Sequence, residues 1–143
     1  MDKNEFYRNR IIWKANQHNV FNEAQLYHDD IPNDCKRIVN EVLPSDSNIN
    51  PVLLFWGGPL KWTLLGEQEI CSFYSGKIHC YDLDCIDKKI TLYHSGKTPE
   101  TNKKRDAEFI RLEKCEGLVW APSGKLLFAL MSILKMFPLR YQK

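Results

Sequence analysis

No glycine-rich phosphate loop, CxxC pair, nucleophile elbow or calcium-loop spacing occurs in this 143-residue chain. Each absence excludes a class of chemistry. Without the Walker glycine spacing, APSGK at residues 121–125 is no nucleotide cradle. Without an elbow or another local signature, five cysteines and four histidines make no recognisable catalytic thiol. The longest apolar stretch, Leu126 to Phe137, is broken by Ser132 and Lys135 and is too short to span a bilayer. Charge of one sign is lacking as well. The formal net charge is +2, too small for the concentrated basic face that nucleic acid requires.

The thiols Cys35, Cys71, Cys80, Cys85 and Cys115 are odd in number. The opening MDKNEFYRNR is charged rather than apolar. Together they predict reduced, mostly buried cysteines in a cytoplasmic protein.

What is present is an ordinary globular composition, 43% hydrophobic and 27% charged. The length suits a single domain over residues 1–143. Phe6, Tyr7, Ile11, Ile12 and Trp13 suggest a short first helix. Residues 31–43 predict a second. Pro32 and Asp34 open it, Cys35, Ile38, Val39 and Val42 form its stripe, and Pro44 stops it. Residues 1–45 are therefore read as a helical N-terminal part.

From Pro51 the pattern turns to strands, read at residues 52–56, 61–65, 70–74, 77–83, 90–94, 109–115 and 118–121. Ser75-Gly76 marks a two-residue hairpin. Ser123 is the expected N-cap of a last helix reaching Phe137. Consecutive strands without intervening helices give an α+β class. The expected architecture is two N-terminal helices, one strongly curved antiparallel sheet of six or seven strands, and a C-terminal helix packed on it.

The segment PVLLFWGGPLKWTLLGEQEICSFYSGKIHCYDLDCI, with the ending LVWAPSGKLLFALMSILKMF, resembles bacterial pleckstrin-homology-like domains over residues 51–137. The resemblance implies a curved sheet used as a binding scaffold. It brings no catalytic residues and no cofactor.

His79, Cys80, Asp82, Asp84, Cys85 and Asp87 are metal-ligand types at close spacing. Strand alternation sends His79 and Cys80 to opposite faces, so this run reads as a strand ending in an acidic turn, and no metal site is assigned. Charge is uneven. Residues 22–47 hold Glu23, Asp29, Asp30, Asp34, Glu41 and Asp46 against Lys36 and Arg37.

The leading expectation is a non-enzymatic module that binds another protein, concretely a small bacterial immunity or antitoxin-type protein occluding a co-encoded toxin domain. Asp29, Asp30, Asp34 and Glu41 would steer the partner and Trp56 would anchor it. The alternative is a lipid- or membrane-surface module. It would bind anions through Lys97, Lys103, Lys104 and Arg105, with Ser123 and Lys125 at the last helix. An enzyme using His79 or His94 with a cysteine is the third reading. The apolar last helix allows a monomer or a homodimer.

Overall fold

Asp2 opens the first helix, its carboxylate accepting a hydrogen bond from the Glu5 amide at 2.8 Å. The computed structural model describes residues 2–93 and 107–141. Helix α1 (Lys3–Gln17) buries Tyr7, Ile11 and Ala15, one residue per turn. Trp13 lies on the other side at 44% exposure, under the Arg10 guanidinium at 4.0 Å from its ring centroid. Only part of the expected stripe therefore faces inward. The N-terminal part is also not helical throughout. A two-residue strand, β1 (Leu26–Tyr27), intervenes before helix α2 (Asn33–Val42).

Strands β2 (Pro51–Trp56), β3 (Trp62–Gly66), β4 (Glu69–Tyr74) and β5 (Lys77–Asp82) follow β1 as an antiparallel meander in the order β1-β2-β3-β4-β5. Strands β6 (Ile90–Tyr93), β7 (Phe109–Leu112) and β8 (Gly117–Trp120) form a second antiparallel sheet in the order β6-β7-β8. Helix α3 (Lys125–Leu134) ends the chain's regular structure.

Among the described residues the fold is thus α+β with two sheets of five and three strands, which corrects the single curved sheet of six or seven. The break lies after β5. A 3₁₀ turn (Leu83–Cys85) redirects the chain there, and Asp87 and Lys88 both adopt left-handed φ values of 56° and 60°. A strand cannot pass through two such residues and keep its ladder. The helix start is corrected too. Ser123 makes no cap. Gly124, at φ 92°, occupies the capping position, and no side chain bonds the first turn.

Side chains replace the missing ladder between the sheets. Strand β8 packs against β3, β4 and β5, and hydroxyls from β3 and β4 bond its free edge. Thr63 Oγ1 donates to the Trp120 carbonyl at 2.5 Å, and the Trp120 amide donates to Ser72 Oγ at 3.0 Å. Tyr74 donates to the Leu118 carbonyl at 3.0 Å. Residues 118 and 120 are two apart, so their main-chain groups point out of the same strand edge. That edge would otherwise be a row of buried, unpaired polar groups.

The main core lies between the sheets. It joins Val52, Phe55, Leu65 and Ile70 of the larger sheet to Ile110 and Val119 of the smaller. Tyr7 and Ile11 of α1 and Leu127, Leu130 and Leu134 of α3 complete it. The over-apolar last helix is accounted for by this position, because Leu126, Leu127, Ala129, Leu130, Ile133 and Leu134 are all buried. A smaller core covers the opposite face of the five-stranded sheet, where Cys35 and Val39 of α2 meet Leu54, Trp62 and Leu64.

Candidate protein-interaction face

The register of the five-stranded sheet sets side chains in rows across the strands. On the α2 side, Trp56 pairs with Trp62, Trp62 with Phe73, and Phe73 with Ile78. This apolar row crosses β2, β3, β4 and β5. The next row on that face runs Leu54, Leu64, Cys71, Cys80. Helix α2 closes over the β2 and β3 portion, and Trp62 and Leu64 are buried beneath it. The coverage thins toward β5. Phe73, Ile78 and Trp56 are half-buried. The Trp62 and Phe73 rings are tilted with centroids 5.7 Å apart, so the exposed part of the row rests on a fully buried indole.

One end of the row continues into the hairpin tip between β2 and β3. Leu60 stands there at 77% exposure, the most exposed of the large hydrophobic side chains among the described residues. The tip is built closely. Gly57 donates its amide to the Lys61 carbonyl at 2.9 Å, and a Cβ at residue 57 would fall 2.5 Å from the Trp120 ring. Leu60 is therefore held out by a braced turn.

The acids chosen from the sequence divide into two groups. Asp34 and Glu41 lie on the outer side of α2 and share Arg37, at 3.8 and 4.0 Å. That partly neutralises them. Asp29 and Asp30 sit in the loop before α2. Asp29 is near His28 Nε2 at 3.5 Å, and Asp30 Oδ1 accepts from the His28 amide at 3.2 Å. Trp56 packs in the same cluster as Tyr27 and Ile31, the residues on either side of this loop. The β1–β2 register sets Leu26 opposite Phe55 and Tyr27 opposite Leu54, so the chain leaves Trp56 behind before it reaches Asp29 and Asp30 and runs on toward the Pro51 end of β2. Glu41, two helical turns beyond Asp34, is left at the far end of α2.

Of the anion-binding set, Ser123 and Lys125 fall among the described residues. Both are exposed at the start of α3, without a cap bond. Lys97, Lys103, Lys104 and Arg105 lie outside the described residues, as does His94. His79 stacks on Tyr74 with centroids 4.5 Å apart, on the face opposite Cys80, so it makes no thiol–imidazole pair with that cysteine. Burial pushes the Tyr74 phenol up to about 12. The Tyr7 phenol is raised as well, by burial first and then by its 2.5 Å bond to Asp84.

Sequence reasoning missed Phe73, Ile78 and Leu60. Phe73 and Ile78 were legible as a pair once Ser75-Gly76 was read as a turn, because counting outward from a two-residue loop sets them opposite each other. Compared with protein-family models, with curated proteins and with solved structures, the chain matches none.

Proposed function

We propose that this protein is a non-enzymatic binding module that docks another protein on the α2-side face of its larger sheet. In its most concrete form it is an immunity or antitoxin-type protein that occludes a toxin domain. The observation that carries the reading is the cross-strand row Trp56–Trp62–Phe73–Ile78, half-open toward β5, with the exposed Leu60 in the hairpin tip that joins Trp56 to Trp62. Half-buried aromatic and aliphatic groups on a rigid sheet are pre-organised anchors, because little side-chain freedom remains to be lost on docking.

The neighbouring acids specify the partner's chemistry. Asp29 and Asp30 are exposed in the loop before α2 and Asp34 in its first turn, on the helix that covers this face, so the fitting surface is basic at its rim with an apolar centre. Such an arrangement steers encounter electrostatically and holds by burial.

Affinity capture from the native host, at low and at physiological salt, tests the reading. The supporting result is one stoichiometric partner lost by Ile78→Asp and by Leu60→Asp. That partner is weakened by salt and retained by Trp13→Ser on the far side of α1. A partner that Ile78→Asp and Leu60→Asp both retain would overturn it.

A further inference from the structure

The row beside the apolar one carries a different chemistry. Its last two members, Cys71 and Cys80, are directly paired across β4 and β5. Their relationship follows from the turn. Ser75 and Gly76 have φ values of 53° and 76°, the two left-handed residues of a type I′ loop. In such a loop the closing pair, Tyr74 and Lys77, exchanges both main-chain bonds. Pairs alternate outward, so 72/79 repeats that class while 73/78 and 71/80 fall in the other. In this second class the main chains approach most closely and the side chains crowd together.

Glu69 lies two residues before Cys71 and so projects from the same face. Cys71 Sγ is 3.2 Å from Glu69 Oε1. The two sulfurs and a Glu69 carboxylate oxygen all lie within 4.8 Å of one another. Cys71 is fully buried, and Cys80 is partly open to a groove of about 250 Å³ lined with Gln68, Glu69, Tyr81 and Asp82.

We propose that Cys71, Cys80 and Glu69 form a binding site for a thiophilic divalent cation of the Zn²⁺ type. A tetrahedral zinc has Zn–S near 2.3 Å and Zn–O near 2.1 Å, which sets its ligand atoms about 3.6–3.8 Å apart. The three atoms reach that spacing by small rotamer changes, since Cys71 and Glu69 already meet within it. Two soft thiolates with one carboxylate suit zinc over magnesium or calcium, which prefer all-oxygen shells. On binding, each thiol releases its proton and the bound carboxylate needs none. The fourth position opens to the groove. Asp82 is paired with Glu69 across the strands, but its carboxylate already accepts the Asp84 amide at 2.9 Å. It stays with the 3₁₀ turn, and solvent completes the shell.

Cobalt titration of the reduced full-length chain tests the site. A thiolate-to-cobalt charge-transfer absorption should saturate at one ion per chain and vanish when Zn²⁺ is added. Cys80→Ser, at a partly open position, should abolish that absorption while leaving the far-ultraviolet dichroism unchanged. Cys71→Ser should do the same where it folds. Glu69→Gln should keep the absorption and weaken cobalt binding about tenfold or more. The double variant Cys85→Ser/Cys115→Ser should behave as the parent.

Three results would overturn the proposal. One is no charge-transfer absorption in the reduced parent chain. Another is absorption that survives Cys80→Ser. The third is a Cys71–Cys80 disulfide in the isolated protein that, once reduced, leaves thiols without affinity for cobalt.

Discussion

Thr63 and Ser72 face each other across β3 and β4 with their hydroxyl oxygens 2.8 Å apart, and they are the buried polar residues among those described. Their proton arrangement is determined by Trp120. Thr63 spends its single hydroxyl proton on the Trp120 carbonyl, so Ser72 must donate to Thr63 Oγ1, and Ser72 Oγ then accepts the Trp120 amide. The three bonds close a ring that joins the two sheets.

The ring predicts a particular pattern of losses. Thr63→Val strands the Trp120 carbonyl and the Ser72 hydroxyl without partners in a dry interface. Ser72→Ala strands the Trp120 amide. Each should cost about 1–3 kcal/mol, the penalty for a buried unsatisfied group. Because both act on one network, the double variant should lose less than the sum. Urea unfolding of the four proteins measures this. Additive losses would show that the ring does not act as a unit.

Alkaline pH should unfold the protein through its phenols. Tyr74 ionises near 10 in an unfolded chain and is pushed up to about 12 by burial, while its proton bonds the Leu118 carbonyl. The folded state therefore holds this proton more tightly than the unfolded state. The resulting stability is fully present below pH 10 and is lost as pH rises from about 10 to about 12. Tyr7 adds to the loss in the same direction, its phenol being raised by burial and by Asp84. Tyr74→Phe should flatten the fall in stability across that window. An unchanged slope in the variant would refute the assignment.

Gly57 should resist even alanine. The added carbon would sit 2.5 Å from the Trp120 ring and 2.9 Å from the Lys61 carbonyl, and neither can retreat. Trp120 is buried, and the Lys61 carbonyl holds the turn. Overpacking of this kind costs about 1–3 kcal/mol. Gly57→Ala should lower the urea midpoint accordingly, and Gly58→Ala offers a contrast, since nothing lies within 4 Å of its Cβ and only its φ of 125° opposes the change.

Charge reversal at the acidic loop should separate stability from association. Asp29 and Asp30 are exposed, so Asp29→Lys/Asp30→Lys should change unfolding free energy by no more than about 0.5 kcal/mol. It should slow partner association and remove most of its salt dependence, with little change in dissociation. Surface plasmon resonance against the captured partner gives both rates. A loss confined to dissociation would place the contact elsewhere.

Local order was legible in the residues. Pro32 and Pro44 mark helix boundaries, and Ser75-Gly76 marks its hairpin, because capping and turn geometry depend on neighbours in the chain. Beta-strand 1 was not legible. Leu26 and Tyr27 are too few to show alternation, and they become a strand only by pairing with Phe55 and Leu54. The start of α3 was misread for a related reason. Ser123 has the chemistry of a cap, but the chain turns at Gly124 and carries it outside.

The sequence by itself determined that this is an α+β chain with an apolar closing helix and an uneven distribution of acids, because composition and periodicity are local. The division into two sheets was decided only in three dimensions. Asp87 and Lys88 turn the chain away, and Thr63, Ser72 and Tyr74 bond the strand edge that results. The proposed binding face was decided there too. Trp56 was visible as a strand tryptophan, but its row with Trp62, Phe73 and Ile78 exists only in the register. So does the meeting of Cys71 with Cys80, which stand in separate strands and share a face only once the hairpin has closed.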